Sequence, residues 1–262
     1  MSDPTFCYWS VANGRYADMM ACCVRSARAV GVREEFHIWT DRDIPGAICH
    51  PSGKFEFKNY LFKFDFLTKA AELCFDYFVF LDADNFFVRH PGDVIASTQG
   101  APVHVALESD CTKDSNLRPD WWGCPLGEYV RLMRAAGVRS RSIYNTNAGF
   151  WIVHRDAIDR VVQLALKFWR DCQAEGYEFT EEAPLAYAGH MLMGNPYAHV
   201  LESNSDLWAS DWTGCFANRL PDGLPWHFED YMDARRFLVN PAIVHCMRSK
   251  EAMIAEANNA AD

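Results

Sequence analysis

Positive charge is in short supply: 25 lysines and arginines against 35 aspartates and glutamates leave a formal charge of −10 over 262 residues. Without a basic excess there is no broad face on which nucleic acid or an anionic membrane releases counterions, so polyphosphate backbones are not expected as partners. An isolated anionic group on a small ligand is not excluded, because a metal ion or two local lysines can hold it whatever the global charge. No apolar run approaches the length that spans a bilayer, and the opening Met-Ser-Asp-Pro-Thr-Phe-Cys has neither the basic stretch nor the apolar run of a secretory signal. A soluble, cytoplasmic protein is expected. The ten cysteines contain no C-x-x-C and lie scattered from Cys7 to Cys246, with only Cys22 and Cys23 adjacent, so buried reduced thiols are expected. Cys111 and Cys124 flank a Trp-Trp loop but have no second close Cys or His to complete a zinc set. Repeats, low-complexity tracts and linkers are missing too. Half the residues are apolar, enough for one substantial core, which excludes intrinsic disorder. A single domain over 1–250 is expected, followed by an acidic, alanine-rich tail over 251–262 that reads as a frayed helix or disorder.

What is present is alternation of strand and helix. Thr5 to Val11 is a short aromatic-rich run, Arg15 to Val30 carries apolar residues at helical spacing, and Phe36 to Thr40 forms a second strand, followed by irregular chain through Pro45, Gly46, Pro51 and Gly53. Asn59 to Cys74 predicts a helix with Tyr60, Phe64, Leu67, Ala71 and Cys74 on one face and Lys63 near its start. Tyr77 to Leu81 is an unbroken apolar run, as in a central parallel strand buried on both faces. Further strands are predicted at Val103 to Leu107, Ala148 to Val153, His199 to Glu202 and Ala242 to Cys246, with a loop around Pro119 to Pro125. Helices are predicted near Glu128 to Ala136, from Ile158 to Cys172 with a stop at Gly176, and from Glu181 to Met193. The class is α/β: an open, mostly parallel Rossmann-like sheet with helices on both faces, which binds ligands outside the carboxyl ends of its strands.

Strand ends therefore matter most. Asp82 and Asp84 follow the most apolar strand two residues apart, so in extended chain their side chains point the same way. Two such carboxylates repel unless a cation neutralises them, and hard oxygen ligands at that spacing suit Mn²⁺ or Mg²⁺ completed by phosphate oxygens of a diphosphate. A surface turn with two solvated aspartates is the plainer alternative. His245 closes the run Ala242 to Val244 and offers an imidazole ligand, while Arg248 and Lys250 behind it supply cations for phosphate oxygens or simply a solvated face.

The strand Tyr-Phe-Val-Phe-Leu-Asp82-Ala83-Asp84, the segment Tyr144-Asn145-Thr146-Asn147-Ala148-Gly149-Phe150-Trp151-Ile152-Val153 and the terminal Val244-His245-Cys246-Met247-Arg248-Ser249-Lys250 resemble glycosyltransferase family 8, the glycogenin-like and bacterial galactosyltransferase-like enzymes of the GT-A fold. Order and spacing match over nearly the whole chain. The resemblance implies a GT-A domain that binds Mn²⁺ through Asp82, Asp84 and His245 together with a nucleoside diphosphate sugar, uridine being the expected base. It also implies transfer of the sugar to an acceptor hydroxyl, on a glycan or other hydroxyl compound, with retention. By the same likeness, the donor is contacted by Val11, Asn13 and Tyr16 after the first strand, Tyr16 stacking on the base, and by Lys63, Asp82 and Ala83. Asn147 and Gly149 lie beside the sugar, with Gly149 permitting close backbone approach, and Arg248 and Lys250 lie at the phosphates. As alternatives, Tyr16 packs on the core, Lys63 is an exposed helix lysine, and Asn147 and Gly149 form a strand-entry turn.

The chain departs from the family at Thr180-Glu181-Glu182, where Asp-Gln-Asp or Asp-Gln-Gly is usual. Glu181 and Glu182 are candidate catalytic groups that stabilise the developing sugar cation; equally, Thr180 is an N-cap with two glutamates in the first turn. Trp121, Trp122, Trp208, Trp212 and Trp226 fall in predicted loops, and the Asp206 to Trp212 stretch is expected to border the acceptor. Two other readings remain. Asp82 and Asp84 could be the nucleophile and acid/base of a haloacid-dehalogenase-like phosphatase, although Asn85-Phe86-Phe87 replaces the small polar pair such enzymes need. A non-catalytic nucleotide-sugar binder is the third.

Overall fold

Strict alternation of side chains decides how the sheet is covered. In β1 (Phe6–Ala12), Cys7, Trp9 and Val11 enter one hydrophobic core while Tyr8 and Ala12 enter the other. Each strand so buried on both faces reads as a continuous apolar run. The computed structural model describes residues 4–55, 60–98, 100–113, 119–193, 200–202, 206–210, 214–216, 226–230, 235–239, 241–247 and 250–251. After β1 come α1 (Arg15–Ala29), β2 (Phe36–Thr40), β3 (Ile48–Pro51), α2 (Phe62–Ala70), β4 (Tyr77–Leu81), β5 (Asn85–Phe87) and β6 (Val103–Asp110). The short pair β7 (Asp120–Trp121) and β8 (Cys124–Pro125) precedes α3 (Leu126–Ala135), β9 (Tyr144–His154), α4 (Ile158–Ala174) and α5 (Glu182–Met193). The chain continues through β10 (Val200–Glu202), β11 (Trp208–Ser210), β12 (Gly214–Phe216), β13 (Trp226–Asp230), β14 (Arg235–Val239) and β15 (Ile243–His245).

Seven strands make one sheet in the order β10-β6-β9-β4-β1-β2-β3. Six run in one direction, and β9 alone opposes them, antiparallel to both β4 and β6. Helices α2, α3, α4 and α5 share one core with Phe78, Phe80 and Trp151; α1 shares the other with Tyr77, Val79, Leu81 and Ile152. Burying such a side chain fully is worth about 1.5–3 kcal/mol each. The second face is extended by a small sheet, β11-β15-β5, and β12, β13 and β14 form a third, antiparallel one.

The expected α/β class and mostly parallel sheet are present, and β2 and β4 have their predicted bounds. The Gly176 stop is also where expected: at φ 89° it lets Tyr177 donate its N–H to the Cys172 carbonyl at 3.0 Å. Four local expectations are corrected. The chain after Thr40 is not wholly irregular, because Ile48–Pro51 pairs in register with β2 as the edge strand. The helix expected over 59–74 is confined to Phe62–Ala70, since Tyr60 takes a left-handed backbone (φ 54°) that no helix continues through. β9 begins at Tyr144, not Ala148, so Asn147 and Gly149 lie within a strand and form no entry turn. Thr180 does not cap α5: its hydroxyl is buried with no hydrogen-bond partner, and the helix opens at Glu182. The nine cysteines whose side chains are described are free thiols, Cys111 and Cys124 among them. No described helix is long and apolar enough to cross a membrane. The tail beyond 251 lies outside the described residues.

Candidate functional site

β4 delivers Asp82 to the carboxyl end of the sheet, and the chain then turns, the Asn85 N–H donating to the Asp82 carbonyl at 3.2 Å. The two aspartates are thus brought together by a turn, which corrects the expectation that extended alternation aims them alike. β5 leaves the turn and pairs antiparallel with β15, setting Asn85 opposite His245. This pairing places His245 Nε2 3.1 Å from Asp84 Oδ1 and 4.0 Å from Asp82 Oδ2. One ligand atom from each of the three residues lies within 4.8 Å of the others. Two carboxylates and one imidazole form a mixed oxygen and nitrogen donor set able to hold a divalent metal ion.

His245 is buried and held on three sides. Its ring stacks on Trp208 (centroids 5.6 Å apart, planes at 29°), its Nδ1 lies 3.3 Å from the Ser210 hydroxyl, and it presses on the Gly149 backbone. Nε2 lies at hydrogen-bond distance from Asp84, and with Nδ1–H given to Ser210 it would be the nitrogen presented to a metal ion held by the carboxylates. Trp208 in turn donates its indole N–H to Asn85 Oδ1 at 2.8 Å, and Asn85 Nδ2 donates to the carbonyls of Asp82 (2.9 Å) and Gly149 (3.0 Å). Gly149 is a close-approach position: a Cβ there would stand 2.6 Å from the His245 ring.

Lysines flank the cluster. Lys63 is no exposed helix lysine: it is 3 % exposed, with Nζ 2.8 Å from Asp82, 2.5 Å from Glu181, and donating to the Ala148 carbonyl at 3.3 Å. Burial opposes its charge, but Asp82 and Glu181 more than offset this and raise its pKa. Lys250 Nζ stands 2.8 Å from Asp84. Burial alone would raise the Asp84 carboxyl; His245 and Lys250 instead hold it well below the usual carboxylate range. The two glutamates behave otherwise. Burial pushes Glu181 up in spite of Lys63, and pushes Glu182 well up, helped by the neighbouring Glu108 and Glu181.

Glu182 is partly buried, accepting the Trp122 indole N–H at 2.5 Å on one oxygen and the Ala148 N–H at 3.4 Å on the other. A carboxyl whose folded-state pKa is raised holds its proton in the folded protein, so its stabilising contribution is present below the unfolded value of about 4.5 and is lost as pH rises through the folded one. Glu182→Gln is therefore expected to unfold at a higher midpoint than wild type near pH 7–8. The gap should shrink towards pH 4.5, the ordinary value for glutamate. Urea unfolding in EDTA across pH 4–8 checks this, and a gap that is constant with pH would rule out protonated Glu182.

Val11, Tyr16, Lys63, Asp82, Ala83 and Asp84 line one cleft of about 120 Å³ with Asn147, Glu181, Glu182, His245 and Lys250. Two expected residues do not. The Asn13 carboxamide oxygen accepts from Ser52 at 2.9 Å, outside the cleft lining, and Gly149 lies behind His245. Arg248 lies outside the described residues. Trp208, expected in a loop beside an acceptor, is fully buried and buttresses His245, because it belongs to β11 in the small sheet. Asp211 and Trp212 lie outside the described residues, and Trp226 is described only by its place at the start of β13. Tyr60, Phe62 and Met247 line the cleft without having been singled out. Periodicity assigned Tyr60 to a helix face, and nothing local marks its left-handed backbone. Comparison with the models of known protein families returned no match, and comparison with characterised proteins returned none either.

Proposed function

We propose that the chain is a metal-dependent glycosyltransferase that moves a sugar from a nucleoside diphosphate sugar, uridine being the expected base, to an acceptor hydroxyl with retention. The observation that carries this reading is the meeting of Asp84 with His245, 161 residues apart, in a cleft flanked by two lysines. The likeness to glycosyltransferase family 8 points the same way, as does a sheet whose strand ends carry the cluster. A divalent ion held by Asp82, Asp84 and His245 would supply Lewis-acid neutralisation of the leaving diphosphate. Lys250 adds a second positive charge on the phosphate side, and Tyr16, which packs partly on the core with Arg15 and Lys250 over its ring, lines the cleft where the base is expected.

Neither glutamate is disposed as a free nucleophile. Glu181 is tied to Lys63, and both Glu182 oxygens accept hydrogen bonds. This favours front-face substitution. The acceptor oxygen bonds to the anomeric carbon as the bond from that carbon to the phosphate oxygen breaks, and the acceptor proton passes to the departing phosphate. Glu181, beside Lys63, stabilises the transient positive charge on the sugar.

Thermal unfolding with UDP, ADP and GDP, each with Mn²⁺ or with EDTA, tests the reading. UDP and Mn²⁺ together are expected to raise the midpoint by about 5–10 °C at a hundredfold excess over Kd. Asp84→Ala should abolish that shift. If no nucleotide stabilises the protein while phosphate-ester hydrolysis depends on Asp82, the chain is a phosphatase. If UDP binds with Mn²⁺ but neither transfer nor donor hydrolysis follows, it is a binding protein.

A further inference from the structure

Among the described residues two non-glycine residues hold a left-handed backbone, Tyr60 at φ 54° and Trp122 at φ 53°, and both line the cleft over Asp82, Asp84 and His245. That conformation costs roughly 1–2 kcal/mol per residue and persists where the surroundings impose it, commonly at ligand sites. Both side chains are large, aromatic and exposed, Trp122 by half its surface. The Trp122 indole gives its N–H to Glu182 and leaves half its surface exposed toward a ligand. Beyond Trp122 the cleft continues into a second cavity of about 440 Å³, within the size range of small-molecule pockets, which shares Trp122, Asn147, Glu182 and Met247 with the first. The titratable groups among its described lining residues are both acidic, Asp120 and Glu182, the second raised toward its neutral form by burial.

We infer that this second cavity is the acceptor subsite and that it takes a neutral pyranose. The reasoning rests on the transferase reading and narrows it. An aromatic face bordered by carboxylates suits a ring with one apolar C–H face and hydroxyls at its edge, which donate to Asp120 and Glu182. Asp120 repels a phosphorylated or acidic sugar, and Glu182, raised toward its neutral form, offers such a sugar no compensating positive charge. Because Trp122 and Glu182 border both spaces, an acceptor stacked there presents its hydroxyl to the donor side of the cleft. The acceptor side is thereby assigned to the Trp122 loop and α5 instead of the 206–212 stretch.

Saturation-transfer NMR tests the subsite directly, using the α- and β-methyl glycosides of glucose and galactose, maltose and lactose as probes, with glucose 6-phosphate and glucuronic acid as anionic counterparts. At least one neutral glycoside is expected to bind saturably, with transfer concentrated on the protons of one ring face. Binding should be about tenfold weaker in Trp122→Ala and largely kept in Trp122→Phe, which retains a ring. Matching unfolding midpoints among the three proteins exclude misfolding as the cause. Equal binding in Trp122→Ala overturns the inference, as does preference for the anionic sugars. Silence from every probe while UDP with Mn²⁺ still stabilises the protein overturns it too and leaves the transferase reading standing. Sugar binding at Trp122 without any nucleotide shift keeps a sugar site there but overturns the transferase and, with it, the acceptor role.

Discussion

Replacing Lys63 with methionine is expected to lower the unfolding free energy by about 3–5 kcal/mol, the cost of stranding a buried charge after removing its partner. Lys63 Nζ lies between Asp82 and Glu181, and the exposures of the two carboxylates, 30 % and 7 % of their side chains, locate the damage. Water screens Asp82, so most of the loss comes from Glu181. Methionine keeps the apolar stem in place, which separates loss of charge from loss of packing. The pH dependence has a definite sign. Glu181 is already raised by burial and loses its chief stabilising partner with Lys63, so it retains its proton in the folded variant. Its contribution is then lost as pH rises above the ordinary glutamate value of about 4.5, and the variant should be nearest wild type in acid and furthest from it at pH 8. Urea unfolding of Lys63→Met, Glu181→Gln and the double variant measures the coupling. The double variant should recover most of the loss; recovery of less than about 1 kcal/mol would show that the pair is not coupled.

Gly149→Ala is the smallest substitution with a large expected effect at the cluster. Its Cβ would stand 2.6 Å from His245 Cε1, 2.8 Å from Nδ1 and 2.9 Å from Asn147 Oδ1. The imidazole has little room to retreat, since Trp208 covers it and Ser210 holds Nδ1. Overpacking of this kind costs about 1–3 kcal/mol. The larger consequence falls on geometry: His245 Nε2 is displaced from Asp84, and Mn²⁺ affinity is expected to fall about 10–100-fold, the range seen when a ligand's support is lost. Titration of Mn²⁺ followed by electron paramagnetic resonance checks this. Removing the clashing ring should relieve the strain, so Gly149→Ala with His245→Ala should be less destabilised than the sum of the single variants. Unchanged Mn²⁺ affinity in Gly149→Ala would break the link between this glycine and the metal ligand.

Much of the frame is legible in the sequence because it is local. The five residues Tyr77–Leu81 are apolar without interruption, since neighbouring strands and two cores cover both their faces, and the same composition marks β1 and β2. Asp82, Asp84 and His245 stand out because each is a polar residue closing an apolar run, and strand ends are where an α/β sheet meets its ligands. α4 declares its period and its glycine stop over seventeen residues. Tertiary structure decided the rest. That His245 faces Asp84 depends on β5 pairing with β15, two three-residue strands far apart in the chain and too short for any periodic signal. Trp208 and Trp122 look alike in sequence, yet one is buried under the histidine and the other stands half exposed over the cleft, because burial depends on which neighbours arrive. Tyr60 and Trp122 adopt a left-handed backbone that their own propensities oppose, so only packing around the cleft can impose it. Gly149 signalled close approach, but not to what: the Cβ it lacks would lie in space taken by a side chain ninety-six residues further along the chain, and a glycine records only that something comes near.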